Sequence, residues 1–70
     1  MTQTPTIILN GAPHPIDGPI TLDRLLDSLG LAGKPVVAEL NELAVIPREY
    51  SQTLVEPGAR LEIVTLAAGG

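Results

Sequence analysis

The sequence predicts an α+β fold in which one short helix packs on a small mixed sheet. Three observations predict it. Leu22, Leu25, Leu26 and Leu29 recur at i, i+3, i+4 and i+7, the spacing of one apolar stripe on a helix. Short runs rich in β-branched residues stand on both sides of that stripe, at Thr6–Asn10, Val36–Asn41 and Arg60–Leu66. Turn dipeptides punctuate the chain at Asn10-Gly11, Gly18-Pro19 and Pro57-Gly58. A lone helical stripe has only the strands to bury against, so helix and sheet become the two layers of one core.

Taken in order, Thr6–Asn10 is the opening strand, and Asn10-Gly11 turns it into a hairpin. The returning strand is expected over His14–Asp17. Pro13 and Pro15 remove ladder donors there, which places it at a sheet edge. Thr21 is the expected N-cap of a helix over Leu22–Leu29. Asp23 lies in the first turn, where a negative charge meets the positive end of the helix dipole. Ile20 is placed to staple onto Leu25, and Gly30 to end the helix as its C′ residue.

Leu31–Pro35 is a linker into the strand Val36–Asn41. That strand has few polar breaks, which suits a central position covered on both faces. Glu39 within it is either an inward carboxylate with a partner or an outward one. Asn41-Glu42 makes a turn into a brief strand, Ala44–Ile46. Pro47 opens a short helix in which Tyr50 packs its ring on the domain and keeps its hydroxyl wet. Thr53–Val55 is another short strand, and Pro57-Gly58 turns into the last one, Arg60–Leu66.

Seventy residues form one domain, 1–70. A chain of this length buries only about 60% of its unfolded surface. It has no cysteine, which excludes disulfides and thiolate metal sites. His14 is the sole histidine, so it makes no histidine metal site by itself. It is expected as a solvated edge residue, and no metal and no bound cofactor is expected. The formal net charge is −4 and Tyr50 is the sole aromatic, so neither a basic patch nor a stacking platform exists for nucleic acid. An acidic surface suits solubility and equally suits docking on basic proteins. No apolar run is long enough for a membrane span, and the first residues lack the regions of a signal peptide. A soluble, cytoplasmic protein is expected.

The chain is organised around its last stretch. In Arg60–Leu66, Leu61 and Ile63 share one face, and Arg60, Glu62, Val64 and Leu66 share the other. Leu61 and Ile63 are assigned to the core. Val64 and Leu66 are then either further core or, with outward apolar residues such as Leu40 and Leu54, an exposed patch for a partner protein. Beyond the strand run Ala67, Ala68, Gly69 and Gly70, expected as a flexible tail, 67–70. Two adjacent glycines carry no side chain and few backbone limits, so such a tail threads into a narrow active site and delivers a carboxylate. At glycine usage of roughly 7%, a chance Gly-Gly end arises about once in 200 chains, so the strand before it gives the pair its meaning.

Four features together resemble the ThiS family of sulfur carrier proteins of thiamin biosynthesis, within the ubiquitin-like β-grasp fold. They are Ile8-Leu9-Asn10-Gly11; Thr21-Leu22-Asp23-Arg24-Leu25-Leu26; Val37-Ala38-Glu39-Leu40-Asn41 with Val45-Ile46-Pro47-Arg48-Glu49-Tyr50; and Pro57-Gly58, Leu61-Glu62-Ile63-Val64 and Gly69-Gly70. The resemblance covers about Ile7 to Gly70. Three positions depart from it: Ala59, where the family often has an acidic residue; Tyr50, where many members have tryptophan; and Ala68, where many have a third glycine.

The resemblance implies a carrier rather than an enzyme. It implies that a ThiF-like adenylyltransferase, using ATP and magnesium, activates the Gly70 carboxylate. Sulfur drawn from cysteine by a desulfurase then makes a thiocarboxylate on Gly70, which a ThiG-like thiazole synthase consumes. The sister readings are the small subunit of molybdopterin synthase, another sulfur carrier, or a ubiquitin-like modifier. A plain interaction module with an incidental Gly-Gly stands as the reading from another class.

Overall fold

In the computed structural model, residues 4–66 are described. The opening strand β1 (Thr6–Leu9) turns at Asn10-Gly11 into β2 (Ala12–Pro15). Both turn residues have positive φ, 49° and 84°, as a two-residue hairpin turn requires. Because the turn is this tight, pairing resumes at once at Ala12. The returning strand therefore lies earlier than the expected His14–Asp17. Its prolines cost little. Ile7 pairs with His14, and the Ile16 N–H donates to the Pro5 carbonyl, so the ladder bonds fall on even-numbered β2 residues. Pro13 and Pro15 face the open edge, where no donor is needed.

A two-residue strand β3 (Ile20–Thr21) leads into the helix α1 (Leu22–Ser28), one residue shorter than the periodicity suggests. Thr21 occupies the N-cap with extended backbone, but its side chain makes no capping bond. The Leu22 N–H instead donates to the Thr53 carbonyl at 2.8 Å. A neighbouring segment thus satisfies the first orphan donor of the helix, while the Arg24 N–H, which a capping hydroxyl could have taken, donates to the Asp23 carboxylate. At the other end the Gly30 N–H donates to the Asp27 carbonyl and the Leu31 N–H to the Leu26 carbonyl. With Gly30 at φ 76°, this is a complete Schellman closure, and Leu31 packs onto the core beside it.

Then follow β4 (Val36–Leu40), β5 (Leu43–Val45), a 3₁₀ segment Pro47–Gln52, β6 (Leu54–Val55) and β7 (Arg60–Thr65). Ile46 caps the 3₁₀ segment rather than extending β5. The main sheet has order β2-β1-β7-β4-β5, with β1 and β7 parallel and the other pairs antiparallel; β3 and β6 form a separate ribbon.

The core sits between that sheet and α1. Leu22, Leu25 and Leu26 are buried against Ile7, Ala38, Leu61 and Ile63. Full burial of a leucine is worth about 1.5–3 kcal/mol, so the leucine stripe is the chief bond between the layers. β4 is central in hydrogen bonding but is not covered on both faces. Val36 and Ala38 are buried, while Val37 and Glu39 are exposed. The one α-helix among the described residues covers one face only. Tyr50 also departs from expectation. It is buried, its hydroxyl is shut off from solvent, and that hydroxyl finds no hydrogen-bond partner among the described residues. No helix is long and apolar enough to cross a membrane.

Candidate functional site

β7 is the strand that leads to the chain end, and the fold places it between β1 and β4. Two asparagines fasten it there. Asn10 sits where β1 has already turned away, so on that side no main chain is left to pair with the second half of β7. Its side chain substitutes for main chain: Nδ2 donates to the Ile63 carbonyl at 3.1 Å, and Oδ1 accepts from the Ile63 N–H at 2.7 Å. The Asn10 N–H also donates to the Leu61 carbonyl. On the opposite side Asn41 does the same for the start of the strand. Its N–H donates to the Arg60 carbonyl, and its Oδ1 accepts from the Arg60 N–H at 2.9 Å. Both asparagines hold positive φ, 49° and 51°. Asparagine tolerates that backbone shape better than most residues and carries both a donor and an acceptor in its side chain.

The uncovered face of the sheet is the second part of the site. Val64 is 59% exposed and pairs across the strands with Val37, which is 45% exposed. Next along, Glu62 stands directly opposite Glu39. Glu39 is thus an outward carboxylate. Together with Glu42 and Arg60 these four residues line a shallow concavity. Leu66, just past β7, is also half exposed. It borders a groove formed with the Leu31–Val36 segment, Pro47 and Tyr50.

Of the four residues assigned to a partner surface, Val64 and Leu66 are therefore exposed near the chain end. Leu40 is not on that face. It pairs with the buried Leu61 and packs on the core, because the alternation that exposes Val37 and Glu39 turns Leu40 inward. Leu54 is exposed, but in the β3–β6 ribbon rather than in the main sheet. Val37 takes the place assigned to Leu40. No signal within Val36–Leu40 sets that phase; the register against β7 does. Ala68, Gly69 and Gly70 lie outside the described residues. His14 is half-buried on the edge strand β2, and among the described residues no group of three or more His, Cys, Asp or Glu is arranged to hold a metal ion.

Chemically, the arrangement is a firmly held strand end beside an apolar and acidic surface. A family model described as the ThiS family matches residues 7–70. The sulfur carrier protein ThiS of Thermus thermophilus is 37% identical over 62 residues, covering 89% of this chain and 95% of that one. A thiazole synthase of Paramagnetospirillum magneticum is 34% identical over 65 residues; the match takes in 91% of this chain but spans only 20% of the synthase. Among solved structures, the crystal structure of a thiamine biosynthesis protein (ThiS) from Geobacter metallireducens superposes with a TM-score of 0.79 at 28% identity, covering 93% of this chain and 99% of that one.

Proposed function

The chain belongs to the ThiS family, and from that premise we propose that it is a sulfur carrier of thiamin biosynthesis that bears its sulfur on the Gly70 carboxylate. The observation that carries the reading is the extent of the family match, which runs through Gly69 to Gly70 itself. The fold is the ubiquitin-like β-grasp, shared with a ThiS of known structure.

A Gly70 carboxylate oxygen attacks the α-phosphorus of ATP on a ThiF-like adenylyltransferase. The bond to the β-phosphate breaks, and magnesium pyrophosphate leaves. The product is a mixed anhydride whose acyl carbon is now electrophilic. The outer sulfur of a persulfide, formed from cysteine on a desulfurase, attacks that carbon, and AMP departs with the electron pair of the broken C–O bond. A thiol reductant then cleaves the resulting acyl disulfide, taking the other sulfur into a new disulfide and leaving a thiocarboxylate. The carrier provides no general base and no nucleophilic side chain. Positioning and charge stabilisation come from the enzymes. A chain without cysteine has no thiol of its own to hold sulfur, so the terminus takes that role.

A ThiG-like thiazole synthase is the proposed client. A segment resembling this chain within one fifth of a thiazole synthase supports that pairing. Docking is assigned to the uncovered sheet face around Val37 and Val64, with Leu66 nearer the terminus. Intact-protein mass spectrometry tests the central step. Incubation with ATP, magnesium, the cognate adenylyltransferase and a sulfur source is expected to exchange one oxygen for sulfur. A chain lacking Gly69 and Gly70 is expected to stay unchanged. An unmodified full chain, with the enzyme active on another carrier, would rule the reading out.

A further inference from the structure

The inference rests on the reading just given, in which an enzyme acts at Gly70, four residues beyond Leu66. Four residues span at most about 14 Å when fully extended. A standard protein contact takes about 800 Å² from each partner. Spread around the entry point of the tail, such a contact covers the surface about Leu66. That surface is not flat. Leu26, Leu31, Pro35, Pro47, Tyr50 and Leu66 wall a groove of about 540 Å³. Leu26 and Tyr50 are buried and form its floor, while Asp23 and Lys34 stand as its charged members. Apolar walls with few polar groups, at this volume, characterise sites that take organic groups.

We propose that this groove receives an apolar side chain from a loop of the adenylating enzyme, which thereby fixes where the tail enters its active site. Two other occupants fit worse. The chain's own end, Ala67-Ala68-Gly69-Gly70, has no side chain larger than a methyl and cannot fill such a volume. A second copy seated here would cover the root of the tail and keep its terminus from any enzyme. An enzyme loop fills the groove while leaving the terminus in the enzyme's own site. It also converts about half a leucine of exposed area at Leu66 into buried contact.

The test is ATP–pyrophosphate exchange by the cognate ThiF-like enzyme, titrated with full-length carrier. Ala32→Trp fills the groove from an exposed wall position, and Pro47→Glu charges it from the other side. Both are expected to raise the half-saturating carrier concentration at least tenfold while the maximal rate stays within twofold. Thermal melting of Ala32→Trp is expected to match the parent, which separates lost docking from lost folding. An unchanged half-saturating concentration in both variants would overturn the groove proposal and leave the carrier reading standing. A parent that sediments as a dimer, with Ala32→Trp a monomer, would assign the groove to a second copy and overturn it too. A parent that supports no exchange at any concentration would remove the carrier reading, and this inference with it.

Discussion

The carboxamide of Asn10 and the peptide groups of Ile63 exchange two hydrogen bonds across 53 positions of sequence. This pair joins the first turn of the protein to the second half of its last strand. Each such bond contributes about 0.5–1.5 kcal/mol, and a half-buried donor left unpaired costs more. Alanine at this position also meets the penalty of positive φ, about 1 kcal/mol. Asn10→Ala is therefore expected to destabilise by about 2–4 kcal/mol in urea unfolding. Amide exchange is expected to speed up at Ile63 before it does at Ala38, its partner on the neighbouring strand β4. A loss under about 0.5 kcal/mol would show that the side-chain bonds are replaced by water without cost.

Asn10→Gly separates the two roles of that residue. Glycine removes the penalty of φ 49° but leaves Ile63 unpaired. It is expected to lie between the parent and Asn10→Ala. Stability equal to the parent would mean that the turn, and not the clamp, is what asparagine supplies.

The second hairpin turn carries a residue at odds with its backbone. Glu42 holds φ 71°, where a Cβ is costly. No hydrogen bond to its side chain offsets that cost among the described residues, in contrast to Asn10 and Asn41. Glu42→Gly is expected to stabilise by up to about 1 kcal/mol, a rise of about 4–8 °C in Tm for a domain of this size. Glu42→Ala keeps the Cβ and is the control, with no comparable rise expected. Equal gains from both would trace the effect to charge on the acidic face rather than to the backbone.

Tyr50 is buried with its hydroxyl unpartnered among the described residues. A hydroxyl in that position was desolvated on folding and has nothing in exchange. Replacing it with hydrogen is then neutral or favourable. Tyr50→Phe is expected to be as stable as the parent or up to about 1 kcal/mol more so, whereas Tyr50→Ala loses about 3–5 kcal/mol by opening a cavity. A clear loss in Tyr50→Phe would reveal an acceptor for the hydroxyl.

These features differ in how far the sequence discloses them. The helix was legible because four leucines at helical spacing have one reading, and Gly30 ends it by a mechanism local to the chain. The first hairpin was legible because Asn-Gly satisfies a turn with two positive φ angles. Leu40 was misplaced because a strand's phase, not its composition, decides which side chains face the core. Adjacent strands Val36–Leu40 and Arg60–Thr65 fix that phase only through their register. Thr21 does stand at the N-cap, but its side chain makes no capping bond, and the first helical N–H, at Leu22, is met by the Thr53 carbonyl. Nothing local to Thr21 encodes a segment thirty residues away. The clamps of Asn10 and Asn41 were hidden for the same reason, since each asparagine had already been accounted for as a turn residue.

The corrected face also sharpens what a substitution at Val64 does. Val64 and Val37 are exposed partners on the uncovered side of the sheet, so a charge there meets water rather than the core. Val64→Asp is expected to change stability by less than about 1 kcal/mol, the scale of strand preference and cross-strand pairing. Its effect on docking is expected to be larger. It removes apolar contact and adds a fourth carboxylate beside Glu39, Glu42 and Glu62. A fall of tenfold or more in affinity for the adenylyltransferase is expected, measured by titration calorimetry. Val64→Lys distinguishes the two contributions. It removes the same contact with the opposite charge, so a partner surface that is basic rejects it more strongly than the aspartate. Equal affinity for parent and both variants would place the docking surface elsewhere on the domain.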